Sequence, residues 1–521
     1  MFECNAIIES NMMLKKILVV LLTVAVLLLI TALLTHKALP DNRRRTVSQA
    51  LPPDSGSLLA RHFLPQIQAH PGLSGIYPLR EGRDAFLARL ALAETAQRSL
   101  DVQYYIWHDD ISGRLLLQSL YKAAERGVRV RLLLDDTNTG GMDEILASLN
   151  AHRNIEIRLF NPFMQRGFRP LGYLSDFSRL NRRMHNKSFT ADGVITVIGG
   201  RNVGDEYFGA GSGVMFADLD VAAVGKAARD VEQDFDRYWA SESAYPAENI
   251  ISAAAVSFDT RPSEQAETKN YLKALAQSNF VRQLQTGDLP LEWAKTTLVS
   301  DDPAKGLGRA SAENTVWAHI GPVMGAAKHD LLIVSPYFVP TQKGSDLLGN
   351  IARNGKNVTV LTNSLAATDV AAVHAGYAKY RKDLLAAGVK LFELKPDATV
   401  TTEDHGGITG SSGASLHAKT FAVDGQILFV GSFNMDPRSA ALNTEMGFLI
   451  ESPKLASELA DGLKRHRAVH TYRVEQTPKG DLQWQTEENG KIQAYDSEPQ
   501  SSVFKRFAVW LCSLLPIEWM L

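Results

Sequence analysis

The chain has 521 residues, 45% of them hydrophobic, which is ample for a core and points to more than one domain or one duplicated domain. A formal net charge of -2 gives the whole chain no basic footprint for nucleic acid. The two cysteines, Cys4 and Cys512, sit in opposite terminal segments and offer neither a disulfide framework nor a metal cluster.

Ile17–Leu34 is an uncharged apolar run of 18 residues after Lys15-Lys16, at the lower end of membrane-spanning length. No small-x-small cleavage site follows it, so it reads as an uncleaved anchor, with a cleaved signal peptide as the competing reading. Lys37 and Arg43-Arg44-Arg45 outweigh Lys15-Lys16, which puts the remainder in the cytoplasm by the positive-inside rule. A shorter signal-anchor starting near Met12 argues the reverse, so the side stays open. Pro40–Gly75, with Pro52-Pro53, reads as a linker off the membrane.

From there helices and strands alternate. Arg83–Gln97, Gly113–Arg126 and Glu144–Asn150 have helical spacing, while Ser99–Trp107, Val128–Leu134 and Ile155–Phe160 read as strands. The second half replays this. Thr315–Lys328 matches the first helix, Leu331–Val339 matches Leu100–Trp107, Asn357–Asn363 matches Val128–Asp135, and Val389–Pro396 matches Ile155–Pro162. Alternation of this kind predicts a parallel or mixed sheet covered on both faces. Ser241–Asp302 is polar and joins the halves, Thr399–Ser415 is a Gly-rich loop, and Ser502–Leu521 combines basic residues with Trp and Leu. That last stretch suits either an interfacial membrane helix or a terminal helix closing the core.

The two halves share one motif. Met184–Gly204 holds His185, Lys187, Asp192-Gly193, Gly199-Gly200 and Asn202, and Leu416–Met435 holds His417, Lys419, Asp424-Gly425, Gly431-Ser432 and Asn434 at matching offsets. On a strand, residues two apart share a face, so each His points with its Lys. Asp-Gly reads as a tight hairpin turn, giving Asp192 and Asp424 a scaffold role rather than that of proton carriers. The small residues after each second strand are expected to bring backbone close to a ligand, beside Asn202 or Asn434. One imidazole can attack phosphorus while another protonates the leaving oxygen, and two Lys and two Asn can hold the anionic oxygens. Without an anion, Lys187 and Lys419 would be buried unpaired cations.

The duplicated His-x-Lys-x4-Asp pattern resembles the phospholipase D superfamily. The wording Ile-Gly-Gly-Arg-Asn-Val-Gly-Asp-Glu-Tyr-Phe and Asp-Pro-Arg-Ser-Ala-Ala-Leu-Asn-Thr-Glu-Met-Gly is similar to its bacterial cardiolipin synthase branch, from about Tyr77 onward. The resemblance implies an α/β duplicated phospholipase D fold, two similar lobes of mixed sheet flanked by helices, with the active site at their interface. It implies His185, Lys187, Asp192, His417, Lys419 and Asp424 as the catalytic set, with His185 the nucleophile, although the symmetry of the motifs leaves the order open. Asn202 and Asn434 are expected to bind phosphate. Glu445, 28 residues after His417, and Asp220, before Val221–Val224, are expected to orient the imidazoles, with Asp218 a rival to Asp220. Tyr104, Tyr105, Trp107, His108, Tyr337 and Phe338 either line the mouth or pack.

The expected organisation is an anchor (1–38), a linker (39–76), a first lobe (77–245), a connection (246–310), a second lobe (311–472) and an extension (473–521). The expected activity is phosphatidyl transfer making cardiolipin from phosphatidylglycerol and a second phospholipid, with phosphatidylethanolamine suggested, at the bacterial inner membrane. No cofactor or metal is required and no nucleic acid is expected as partner, while the need for a partner protein is left open. The alternatives are a phospholipase D or another phosphodiesterase or nuclease, and a non-enzymatic membrane scaffold.

Overall fold

A computed structural model describes residues 2–521 other than 53, 211–214, 255, 277–282, 284–288 and 397–413. The Gly-rich stretch Thr399–Ser415 therefore lies outside the described residues except for its last two.

The first lobe supplies β1 (Ser74–Leu79), β2 (Ser99–Ile106), β3 (Arg129–Asn138), β4 (Ile155–Phe160), β5 (Ser188–Ala191), β6 (Ile195–Gly199), β7 (Met215–Ala217), β8 (Asp220–Gly225) and β9 (Ala244–Pro246). The second supplies β10 (Glu292–Ser300), β11 (Asp330–Val334), β12 (Asn357–Asn363), β13 (Lys390–Leu394), β14 (Ala414–Leu416), β15 (Lys419–Val423), β16 (Ile427–Gly431), β17 (Met446–Glu451) and β18 (Thr471–Gln476), followed by β19 (Leu482–Glu488) and β20 (Lys491–Tyr495). Outward from β1 the order is β8, β6, β5, β2, β3, β4, β9, with the β2–β3 and β3–β4 pairs parallel. Outward from β10 it is β17, β16, β15, β11, β12, β13, β18, again with two parallel pairs at the same places. The parallel strands are buried along most of their length, which is why they read as continuous apolar runs.

β1 and β10 pair antiparallel at Ser74↔Ala294, Gly75↔Trp293 and Ile76↔Glu292, so the two lobes share one continuous sheet. Gly75 is required at this seam, because a Cβ there would meet Val224 Cγ2 at 2.9 Å and Leu291 Cδ1 at 3.0 Å. Each lobe has its own core, and a third cluster draws Ile76, Ile198, Val221, Val334, Val430 and Phe448 from both. The lobes are packed on one another through the sheet regions that carry the motifs.

Three expected boundaries change. The stretch 39–76 is not a free linker. Arg131, Arg158 and Arg129 donate to the carbonyls of Ser48, Thr46 and Gln49, Trp239 Nε1 donates to Ser48 Oγ, and Leu58–Ala69 is a helix capped by Ser57. Buried guanidinium groups supply donors that a featureless strap can satisfy with its own carbonyls. The connection 246–310 contains β10, so the second sheet begins near Glu292 rather than at 311. The extension from 473 is partly sheet, since β19 and β20 continue the second lobe through β18.

Phe2–Thr35 is a helix, and Leu18–Thr35 is long and apolar enough to cross a membrane, with a mean hydropathy of 3.0 and none of that window buried. Its last turn meets the first lobe, where Gln165 Nε2 donates to the Thr35 carbonyl at 2.6 Å.

Candidate active site

Each motif is a β-hairpin. Asp192-Gly193 and Asp424-Gly425 have φ of 52° and 66°, and of 53° and 62°, as a two-residue hairpin turn of the primed kind requires. The Asp192 carboxylate accepts the amides of Gln97, Arg98 and Ser99, and Asp424 accepts those of Lys328, His329 and Asp330. Five residues of strand at about 3.3 Å each put these carboxylates some 16 Å along the chain from Lys187 and Lys419. Both therefore leave the catalytic set and act as clamps between the hairpin and the start of β2 or β11. Replacing Asp192 with Ala is expected to cost about 1–3 kcal/mol of stability by leaving amides without their acceptor. Turnover of the folded fraction should stay within about threefold, since the clamp is remote from the reacting groups. Thermal melts paired with kinetics on the same sample check this, and a folded variant that has lost its activity would restore Asp192 to the chemistry.

At the other end of each hairpin the lobes exchange partners. The His185 amide donates to the Thr444 carbonyl at 2.9 Å, and the His417 amide to Ala217 at 2.8 Å. His185 Nδ1 lies 2.8 Å from Glu445 Oε2 of the second lobe, and His417 Nδ1 lies 2.6 Å from Asp218 Oδ2 of the first. Each imidazole is thus held by a carboxylate of the opposite lobe, to which Nδ1–H donates.

Asp218, not Asp220, holds His417. β6 pairs with β8 at Gly199↔Asp220, and β16 pairs with β17 at Gly431↔Gly447, so Asp220 is equivalent to Gly447 and Asp218 to Glu445. Asp220 instead accepts from Arg89 Nη2 at 2.8 Å, in a pair whose two side chains are almost fully buried. The glycines serve this packing rather than a ligand. A Cβ on Gly199 or Gly200 would meet Asp220 Oδ1 or Asp218 Oδ1 at 2.2 Å.

Lys187 Nζ donates to the His185 carbonyl and sits 5.4 Å over the Tyr105 ring. Lys419 Nζ donates to the His417 carbonyl and lies 3.1 Å from His417 Nε2. Asn202 accepts from the Ile106 amide and donates to Tyr207 Oη at 3.0 Å, so part of its hydrogen-bonding capacity is spent locally. Asn434 Oδ1 is buried with no donor among the described residues.

Burial, then the Lys187 and Lys419 charges, hold the His185 imidazole well below its usual pKa. Burial and Lys419 lower His417 to about 4 against the pull of Asp218. Burial raises Glu445 to about 7, with Lys187 and the Ser432 hydroxyl opposing it. Burial also acts to raise Asp218, but the charge of His417, its hydrogen bond and Lys419 more than offset it, so this carboxyl is lowered. Lys419 falls to about 8 through burial. Burial thus disfavours charge on both imidazoles and both ammonium groups, and of the two carboxyls only Asp218 is lowered.

Several neighbours escaped the sequence reading. Phe216 stacks on His417 at 5.0 Å, and Tyr207 meets it edge-on at 5.2 Å. Asp301 accepts the Glu445 amide at 2.8 Å and is paired with Lys305, fixing the carboxylate strand from the inter-lobe segment. Of the aromatic candidates, Tyr105 packs edge-on against His185, while Tyr104, Trp107 and Phe338 belong to the cores. Tyr337 donates to Asp369 at 2.8 Å. His108 stands with Asp110 and Glu206, the three ligand atoms lying within 4.8 Å of one another. The Asp110 oxygens there already accept the Gly113 and Asp205 amides, and His108 pairs with Glu206, which suits a cap and an ion pair better than a metal.

The family model described as "Cardiolipin synthase, PLD-like domain" matches residues 90–239 and 322–467, one segment in each lobe. Cardiolipin synthase C of Escherichia coli is 50% identical over 470 residues, covering 89% of this chain and 99% of that protein. An uncharacterized protein of Helicobacter pylori is 31% identical over 475 residues, covering 88% of this chain and 91% of its own. The crystal structure of phosphatidylserine synthase from Haemophilus influenzae superposes with a TM-score of 0.56 at 16% identity, over 88% of this chain and 99% of that one, which shows the fold. With the duplicated hairpins, the matched sheet order and this similarity together, the chain belongs to the cardiolipin synthase branch of the phospholipase D superfamily and is an enzyme of that phosphatidyltransferase kind.

Proposed function

We propose that the chain makes cardiolipin in two displacements at one phosphorus, with phosphatidylethanolamine as donor and phosphatidylglycerol as acceptor. In the first, His185 Nε2 attacks phosphorus, the bond to the headgroup oxygen breaks, and His417 Nε2–H supplies that oxygen with its proton. In the second, His417 takes the proton of a phosphatidylglycerol hydroxyl. That oxygen bonds to phosphorus and His185 leaves, so cardiolipin is formed and the enzyme is restored, the ethanolamine having departed after the first displacement. Lys187, Lys419, Asn202 and Asn434 hold the equatorial oxygens.

The observation that carries this reading is the exchange of carboxylates across the lobe interface. The two pairs are unequal, and the inequality supports the order of roles. Asp218 is strongly ionised and favours an imidazolium on His417, as a general acid needs. Glu445 is a weaker anion and leaves His185 neutral, as a nucleophile must be. An entering phosphodiester brings the negative charge that lets His417 take up its proton.

Mixed vesicles of the two lipids, with the donor's glycerol backbone isotopically labelled, are expected to yield labelled cardiolipin and free ethanolamine. Labelled phosphatidic acid as the dominant product would make the enzyme a phospholipase. Cleavage of DNA or RNA with every phospholipid untouched would overturn the lipid reading.

A further inference from the structure

The helix Val503–Ser513 starts at Ser502, whose hydroxyl accepts the Lys505 amide at 3.1 Å, and none of its residues is buried. From it and the turn that follows, Phe504, Phe507, Trp510, Leu511, Leu514 and Trp519 stand in the open, Phe504 at 80% of its area. A contiguous apolar patch of this kind marks an interaction surface.

The segment is nonetheless fastened to the second lobe. Lys505 Nζ donates to the carbonyls of Ala366 and Thr368, the helix lies along Ala371–Ala378, and Tyr380 Oη donates to Glu518 at 2.9 Å. Arg438 closes it, donating from Nε to the Met520 carbonyl at 2.8 Å and from its amide to Leu521. Polar groups are spent on docking and the apolar side faces out, which is the division an interfacial helix needs.

The same Arg438 reaches across the lobe interface. Its Nη1 and Nη2 donate to the Asn181 carbonyl and Oδ1 at 3.1 and 2.8 Å, just past the helix Gly172–Leu180. That helix packs against the apolar helix Phe2–Thr35 and carries the exposed Leu174 and Phe177, with exposed Phe168 just before it. Arg438 therefore ties the C-terminal turn of one apolar patch to the end of the helix that carries the other. Asn181 lies four residues before His185 and Arg438 four residues after Asn434, so this face borders the cleft.

We propose that this face, the helix Val503–Ser513 with the turn after it on one lobe and Phe168, Leu174 and Phe177 on the other, lies in the surface of the phospholipid bilayer that Leu18–Thr35 crosses. The cleft then opens onto the lipid headgroups, and substrates reach His185 and His417 without leaving the membrane. The occupant is a bilayer rather than a second protein because the membrane-length apolar helix packs against Gly172–Leu180 on this same face. The inference rests on the lipid reading above, but the quenching measurement that tests it does not depend on turnover.

The test uses the full chain in nanodiscs that each hold one copy. Phospholipid brominated near the headgroup end of its acyl chains is expected to quench tryptophan emission in the wild type. In W510F/W519F at least about half of that quenching should be lost, because an interfacial ring sits at the bromine depth while the remaining tryptophans belong to the lobes. The variant F507D/L511D should raise the bilayer lipid needed for half-maximal rate by about tenfold, as expected when buried apolar area is traded for charge. Quenching that is absent, or equal in wild type and W510F/W519F, overturns the proposal. So does emission blind to bromine that shifts to the blue only in discs carrying two copies, which would assign the face to a second chain. Quenching without any cardiolipin formed would uphold the docking and defeat the proposed reaction instead.

Discussion

Replacing His185 or His417 with alanine is expected to lower turnover by at least about 10⁴-fold each, and the double variant scarcely further, because residues acting as a unit do not contribute additively. The two variants should differ in where they stop. With a substrate whose leaving group needs no proton, His417→Ala can still form the phosphatidyl-enzyme but is slow to deprotonate the acceptor, so the intermediate accumulates. His185→Ala forms none. A denaturing quench in base, with labelled substrate, separates the cases, since a phosphohistidine label is kept in base and lost on a later acid treatment. Label persisting in His185→Ala and vanishing in His417→Ala would reverse the roles. Burial raises Glu445, while the charge of His417, its hydrogen bond and Lys419 lower Asp218 against burial, and this asymmetry supports the direction.

The parts of this site that the sequence disclosed are those fixed within a few residues. His-x-Lys on a strand, Asp-Gly at a turn and the repeat of both need only periodicity and turn chemistry, and the hairpins follow them. Glu445 was legible because it directly precedes the apolar strand β17. Asp220 occupies the same place before the apolar run of β8, and the analogy failed there. What separates it from Asp218 is Arg89, brought over from the helix Gly82–Thr95, and a strand register that no local pattern encodes. The seam was hidden for a related reason. Ser74–Leu79 is short, contains Pro78, and becomes a strand only through its partners β8 and β10. The strap over Arg131 and Arg158 is held by side chains far along the chain, so its composition read as a linker.

The pair Asp218→Asn and Asp220→Asn tests that correction with opposite expected outcomes. Asparagine at 218 keeps the shape and can still accept from His417 Nδ1, but it removes the charge that stabilises an imidazolium and admits the wrong tautomer. A loss of about 10²–10⁴-fold in kcat is expected, of the size seen when a histidine's carboxylate partner is neutralised elsewhere, with the fold intact. The pH profile should report it too. Asp218 raises the pKa of His417, so without its charge the limb belonging to His417 should move to lower pH. Asparagine at 220 instead leaves the Arg89 guanidinium, still bonded to Tyr104, without its carboxylate counter-charge in a dry site, and breaking a buried ion pair on one side costs about 3–5 kcal/mol. Its folded fraction should turn over nearly as wild type, with the histidine limb unmoved. Denaturant melts and kinetics on both variants decide the matter. A stable Asp220→Asn protein with the larger fall in kcat would return the orienting role to Asp220, and the equivalence of Asp218 with Glu445 would then be packing alone.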